Sequence, residues 1–257
     1  MKNKLISVII PCQNGTNYVK EAIDSIKKQN MNTEVIVIDD GSTDNTAEFA
    51  KNCGATVYSI PHSGLSAARN VGLKNMKGDF VVFLDHDDVM ADGTLKILYD
   101  TLQQHSDIDY VQANVQDFIS PELSETDKKT LAPRKEPYGG LLTGAFLFRK
   151  EVFDKIGGFK EDLVTGQGVE FLLRANQAGI KNLKLDMIAA HRRFHNNNMG
   201  RTLQKQEQKD YAALLRMKIR GGGEAKPARS KRFTHFAYAN YRAKSLSHTT
   251  EQLRKAA

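Results

Sequence analysis

Residues Phe83-Leu84-Asp85-His86-Asp87-Asp88 turn an apolar strand, Asp79 to Leu84, directly into three carboxylates spaced i, i+2 and i+3. Strands buried in a sheet are apolar, so carboxylates gathered at a strand's C-terminal end call for something positive beside them. A divalent metal fits. Hard cations such as Mg²⁺ or Mn²⁺ take oxygen ligands and are commonly held by one or two carboxylates together with substrate phosphates. Taken alone, an Asp-x-Asp reads first as a solvated acidic loop capping the helix expected from near Ala91, so the neighbouring sequence decides.

A second carboxylate pair occupies the same kind of place. Glu34 to Ile38 is a short β-branched run that Asp39-Asp40-Gly41-Ser42-Thr43-Asp44 breaks with turn residues before a helix from near Asn45. Upstream, the strand Leu5 to Ile10 ends at Pro11-Cys12-Gln13-Asn14-Gly15, ahead of a helix from about Tyr18 to Lys28. The alternation β-α-β-α-β with continuous apolar strands predicts a parallel sheet covered on both faces. Ligands of such sheets bind outside the carboxyl ends of the strands, where Asp39, Asp40, Asp85 and Asp87 would gather.

With these residues in view the chain resembles the family 2 glycosyltransferases of the GT-A fold. The matching segments are Val8-Ile9-Ile10-Pro11-Cys12-Gln13-Asn14, Val37-Ile38-Asp39-Asp40-Gly41-Ser42-Thr43-Asp44, Gly64-Leu65-Ser66-Ala67-Ala68-Arg69-Asn70-Val71-Gly72-Leu73 and the stretch from Phe83 to Asp88. A fifth, Gly144 through Phe153 and on to Gly157-Gly158-Phe159, is similar to the family's acceptor-side segment. The resemblance implies an α/β GT-A type fold: a Rossmann-like, mostly parallel sheet with helices on both faces. Its catalytic domain would span residues 1–200, with a nucleotide-binding half to about 105 and an acceptor half from 106 to 200. A basic, helical extension over 201–257 would follow.

Length and composition agree with one catalytic domain plus an extension. The chain has 257 residues, enough for one large α/β domain with a proper core. The two cysteines, Cys12 and Cys53, form no framework pattern, which points to a reduced, cytoplasmic setting. No apolar stretch approaches a bilayer span, and no cleavable signal precedes the first strand, so the expectation is a soluble or membrane-peripheral protein. Of the net charge of +7, residues 201–257 carry a surplus of ten (14 Lys plus Arg against 4 Asp plus Glu), leaving residues 1–200 at about −3. Helical stretches from about Leu203 to Ile219 and Ser230 to Lys255 could contact an anionic membrane or a partner, or pack on the domain with a solvated basic face. No nucleic-acid-binding motif accompanies the charge.

The resemblance also implies roles. The substrate would be a nucleotide-diphospho sugar, a UDP-sugar above all, and the acceptor a saccharide, a lipid-linked molecule or a peptide. Departure of the diphosphate concentrates negative charge on phosphate oxygens, and Mn²⁺ or Mg²⁺ held at the Asp-x-Asp would stabilise it. Asp87 is the direct ligand in this reading. Asp85 contacts the ribose or helps hold the metal, and His86 lies with the nucleotide. One of Asp39 and Asp40 reads the base while the other braces the loop. Pro11 and Asn14 lie beside the base pocket, with a tight turn as their plainer reading. Arg69, on a helix face of small residues, would present its fork to the diphosphate or the Asp-x-Asp carboxylates. His195, within Arg193-Phe194-His195-Asn196-Asn197-Asn198, completes the metal site or contacts the diphosphate, with His191 in reserve. Thr143 and Gly144 belong to the acceptor side.

One departure stands out. In Thr165-Gly166-Gln167-Gly168-Val169-Glu170, the chain has Gln167-Gly168 where the family usually carries Glu-Asp, and the missing aspartate is normally the general base. Three accounts follow: Glu170 substitutes, the acceptor needs no enzyme base, or the chain is a sugar-nucleotide-binding or partner-binding subunit. A nucleotidyltransferase is a remoter fit, because Pro11-Cys12-Gln13-Asn14-Gly15 is no Gly-rich basic phosphate loop.

Overall fold

The apolar runs Ile6–Cys12 and Phe80–Phe83 become strands buried along their whole length. The computed structural model describes residues 4–139 and 144–198. Thr143 and the stretches Leu203–Ile219 and Ser230–Lys255 lie outside the described residues. In chain order the elements are β1 (Ile6–Cys12), α1 (Val19–Lys27), β2 (Thr33–Asp40), α2 (Thr46–Asn52), β3 (Thr56–Ile60), α3 (Leu65–Asn75), β4 (Phe80–Phe83) and β5 (Val89–Met90). There follow α4 (Thr94–Gln104), β6 (Tyr110–Ile119), α5 (Glu125–Thr130), β7 (Tyr138–Gly139), β8 (Phe146–Arg149), α6 (Glu151–Ile156), α7 (Gln167–Gln177) and β9 (Asn182–Phe194).

All pair into one sheet of order β3-β2-β1-β4-β8-β6-β9-β5, with β7 on β6. The first four strands are parallel throughout. Helices α1 and α2 connect strands advancing toward β3, whereas α3 leads back past β1 to β4. Right-handed crossovers therefore put α3 on the face opposite α1 and α2. The loops after β1 and β4 part at this reversal, opening the crevice in which open α/β sheets bind ligands. The second half is mixed: β8 runs antiparallel to both β4 and β6, while β9 runs parallel to β6.

The helix expected from near Ala91 begins at Thr94 instead. Val89 and Met90 first pair with His191 and Ala190 as a short strand, and Gly93 in the left-handed region (φ 73°) then opens α4. A buried cluster of Phe83, Phe148, Phe153, Phe159 and Phe171, with neighbouring centroids 5.0 to 5.8 Å apart in most pairs, ties α6 and α7 to β4 and β8. Packing of this kind fixes α7 relative to the end of β4.

Candidate active site

The loops after β1 and β2 fold as one hydrogen-bonded unit. Asn14, in the left-handed region (φ 51°), donates its backbone N–H to Ser42 Oγ (2.9 Å), and its Oδ1 accepts from the Thr43 backbone N–H (2.9 Å). Gly15 N–H donates to Thr46 Oγ1 (2.8 Å), and Thr16 Oγ1 to Asp44 (3.0 Å). A Cβ on Gly15 would stand 2.2 Å from Cys12 Sγ and 2.7 Å from the His86 ring, so the loop after β1 closes directly under His86. Pro11 costs no ladder bond: Ile9 faces β4, two residues on Pro11 faces the same way, and the pairing there ends with Leu84 N–H on Ile9 O. Asn14 thus spends its side chain on bracing the two loops.

Both Asp39 and Asp40 are buried at the end of β2, with different fates. Asp40 accepts from the backbone N–H groups of Ser63 (2.6 Å) and Gly64 (2.9 Å), and its Oδ2 lies 3.0 Å from His62 Nδ1. Asp39 takes one bond, from Ser42 N–H to Oδ1 (3.1 Å), and no other described residue hydrogen-bonds it.

At the end of β4, Asp85 accepts from Arg69 Nη2 at 3.2 Å. Arg69 itself is buried between the rings of Phe83 and Phe159, and its Nε has no partner among the described residues. Burial pushes the Asp85 carboxyl up, and Arg69 pulls it only partly back. Asp87 lies 2.9 Å from His195 Nε2. Burial would raise this carboxyl too, but the His195 hydrogen bond and the His86 charge outweigh it and hold it low. Asp88 is no helix cap. Its Oδ1 accepts the Arg193 backbone N–H (2.9 Å), and burial, with Asp87 and Asp85 adding repulsion, pushes it well above the usual carboxylate range.

The His195 ring is oriented from both sides. Asn197 N–H donates to Nδ1 (3.1 Å), which puts the ring proton on Nε2, toward Asp87. Tyr18 lies against the ring at 5.1 Å. Arg193 pins the end of β9 by donating to Asp87 O (2.9 Å) and Ser120 Oγ (3.2 Å) and by pairing with Glu21. The reserve histidine, His191, stays in the ladder, in register with Gln116 and Val89.

Ahead of β8, Gly144 (φ 62°) donates its N–H to Phe83 O at 2.7 Å, and a Cβ there would meet Leu84 at 2.8 Å. Only a glycine fits against the strand that carries the Asp-x-Asp. Glu170 lies in the first turn of α7, where Arg174 donates Nε to Oε1 (3.1 Å) and Nη2 to Oε2 (2.9 Å), with Lys160 Nζ 3.3 Å from Oε1. Burial opposes ionisation here, but the Arg174 fork and Lys160 outweigh it and hold the carboxyl below its ordinary value. The expectation of Glu170 as general base therefore meets a carboxylate with both oxygens engaged and its proton affinity lowered.

Four of the residues singled out from sequence, Arg69, Asp85, Asp87 and His195, thus form an ion pair, Arg69–Asp85, and a hydrogen-bonded pair, Asp87–His195. Sequence reasoning passed over His62, whose signal was the Pro61-His62-Ser63-Gly64 turn directly after β3, and Arg193, whose backbone and side chain both serve the site. Among the described residues no group of three His, Cys, Asp or Glu side chains stands ready to enclose a metal. The donor set nevertheless suits Mn²⁺ or Mg²⁺ of the kind that takes its remaining ligands from substrate phosphate and water: Asp87 and Asp85 oxygens, with the His195 imidazole adjoining. Ligation by His195 Nε2 requires its proton to move to Nδ1 and the Asn197 N–H to turn away.

An open α/β sheet places its ligand crevice outside the carboxyl ends of its strands, where these carboxylates lie. Residues 7–160 match the model of glycosyl transferase family 2, and the chain belongs to that family. It is 39% identical over 106 residues to glycosyltransferase GlyA of Streptococcus pneumoniae, covering 39% of this chain and 15% of the relative. Against an uncharacterized glycosyltransferase of Rickettsia typhi the identity is 31% over 173 residues, 62% of this chain and 54% of the relative. The chain thus spans about half the length of one relative and far less of the other. Among solved structures, TarS 1–349 of S. aureus in complex with UDP-GlcNAc superposes with a TM-score of 0.61 at 25% identity, covering 75% of this chain and 59% of TarS 1–349. Glucosyl-3-phosphoglycerate synthase of Mycobacterium tuberculosis, in complex with Mn²⁺, UDP and glucosyl-3-phosphoglycerate, gives 0.58 at 22% identity over 83% of this chain and 79% of that one, a likeness of fold. No described helix is long and apolar enough to cross a membrane.

Proposed function

We propose that the chain is a metal-dependent glycosyltransferase that takes a UDP-sugar as donor and transfers the sugar with inversion. The observation that carries this reading is the pairing of Asp85 with Arg69 and of Asp87 with His195 after β4, together with the one-bonded carboxylate of Asp39 at the end of β2. TarS, a family structure at 25% identity, is known in complex with UDP-GlcNAc, which supports a uridine donor.

Asp39 reads the base, since it retains acceptor capacity for a ring N–H, while Asp40 braces the loop through its three contacts. Asn14 holds the two loops together behind the base. Asp87 and Asp85 would hold Mn²⁺ or Mg²⁺, with His195 adjoining, and the ion would offset the charge that grows on the departing diphosphate. Arg69 orients Asp85, and Arg193 and His195 orient Asp87. The acceptor hydroxyl forms its bond to the anomeric carbon as the bond to the UDP oxygen breaks on the opposite face, and the hydroxyl proton leaves to a base. Glu170 serves as a strut joining α7 to the Gly157–Gly158 turn through Arg174, not as that base.

Because position 168 is glycine and Glu170 is engaged, a second reading has support: a donor-binding subunit with little transfer activity. Calorimetry and turnover separate the outcomes. UDP affinity should rise on adding Mn²⁺, and Asp87→Ala should abolish that gain. Metal-independent UDP binding, unchanged in Asp87→Ala, would refute the donor site. Metal-strengthened UDP binding without turnover on any donor and acceptor tried would favour the binding subunit.

A further inference from the structure

Arg192 is the charged side chain at the crevice that the donor site leaves unused. Along β9 the side chains alternate: Arg193 lies over the Phe118 and Tyr18 rings on one face, whereas Arg192 lies on the other, opposite Asp117 of β6 and 5.2 Å from the Phe194 ring. The other inward arginines near the site end on carboxylates: Arg69 on Asp85, Arg174 on Glu170 and Arg193 on Glu21. Arg192, half-buried, makes no ion pair with a described carboxylate; its one recorded bond runs from Nη1 to Tyr138 Oη at 3.4 Å.

The carboxylate opposite it on β6 is already engaged. Asp117 Oδ1 accepts the Tyr138 hydroxyl (2.7 Å) and its Oδ2 accepts the Arg134 backbone N–H (2.8 Å). The Arg134 guanidinium lies over the Tyr138 ring at 4.0 Å, so two guanidinium groups flank one phenol. Burial and the Asp117 bond push the phenol up to about 12, despite Arg192, so Tyr138 remains a neutral donor to Asp117. The backbone N–H of the next residue, Arg193, donates to Asp88 Oδ1 (2.9 Å), so Arg192 stands on β9 beside the Asp-x-Asp loop. A partly desolvated guanidinium hydrogen-bonded to no described carboxylate keeps donors for anionic oxygens, and its planar fork matches a phosphate.

We infer that Arg192, supported by Tyr138 and Arg134, forms a subsite for a phosphate group carried by the acceptor. The partners fit the acceptor more than the donor: Arg134 and Tyr138 belong to the segment after β6 and to β7, which leads into Gly144, and none of them belongs to the loops that hold Asp39, Asp85 or Asp87. The inference rests on the glycosyltransferase reading for what the bound phosphate belongs to, but the site can be tested independently of it.

The test is calorimetry on the full chain, with glycerol 3-phosphate as probe and glycerol as its neutral counterpart, each with and without saturating UDP and Mn²⁺. Glycerol 3-phosphate should bind saturably at one site with UDP present, and glycerol should not. Arg192→Gln should weaken the probe by about 10- to 100-fold, the loss expected for a charge-assisted contact, with UDP affinity within about twofold. Tyr138→Phe, which keeps the ring, should weaken the probe by about threefold, an amount set by one indirect hydrogen bond. Equal binding of glycerol, no effect of Arg192→Gln, or displacement of the probe by UDP would each overturn the subsite. If Arg192→Gln does not fold, the wild-type competition and Tyr138→Phe decide. If UDP fails to bind at all, the donor reading falls, and the probe measured alone against Arg192→Gln still decides the subsite.

Discussion

Carboxylates at the two halves of the crevice are treated in opposite ways. At the ends of β2 and β4, Asp39 keeps unspent acceptor capacity and Asp87 faces one imidazole, so both are held in place yet open to a ligand. At the start of α7, Glu170 is closed by a two-pronged arginine and a lysine. The first arrangement suits binding and the second suits structure. Proximity of an acid to a missing base is thus no measure of basicity; what matters is whether an oxygen is left over and which way its environment moves the proton.

The contrast can be broken most sharply at Asp87. Asp87→Ala should lower sugar transfer or donor hydrolysis by about 1,000-fold, as for loss of a group that organises charge at the leaving oxygen, measured by UDP release. Near-normal release would put the chemistry elsewhere. Next in size is Gly168→Asp. An acid in the first turn of α7 is favourable to the helix, and turnover should rise about 10- to 100-fold with UDP affinity unchanged if proton removal limits the reaction. Glu170→Gln should leave UDP affinity alone but cost about 2 kcal/mol of stability, read as an earlier thermal transition, because a mostly buried pair loses its charge. The sign with pH follows from the depressed carboxyl. The stabilisation is fully present above the ordinary value of 4.5 and fades as pH falls through the lower folded value, so wild type and Glu170→Gln should converge in acid. Collapse of turnover in Glu170→Gln with an unchanged melting profile would restore it as the base. The smallest effect separates neighbours: Asp39→Asn should reduce the preference for UDP over CDP by about tenfold, the value of one base-reading hydrogen bond, whereas Asp40→Asn should chiefly lower stability.

Much of this was legible because apolar strands running into acidic loops reveal both the strand and its functional end. Three of the four parallel strands, and the position of Asp39, Asp40, Asp85 and Asp87 at strand ends, follow from that pattern. What pattern could not supply was partner choice. That Arg69 closes on Asp85 depends on a buried slot between Phe83 and Phe159, residues 76 apart in sequence and brought together only by packing. The division of labour between Asp39 and Asp40 depends on backbone N–H groups from the Ser63–Gly64 turn. The late start of α4 depends on two residues first pairing with a strand about 100 positions downstream. Glu170 illustrates the same limit: its spacing to Arg174 was visible, but the one-sided closure of its carboxylate required the helix to be docked.

The bond between His195 and Asp87 spans 108 positions, and Arg193 reaches Glu21 across 172. Loop-closure entropy makes such contacts costly until the intervening chain is ordered. Assembly of the parallel strands β1 to β4 can therefore run ahead of the site's completion, and the last turn of backbone after β9 acts as the signature that the whole sheet has formed. A nascent or truncated chain ending before Arg193 would own the Asp-x-Asp without the side chains that aim it, so competence to react is coupled to the final strand joining the fold.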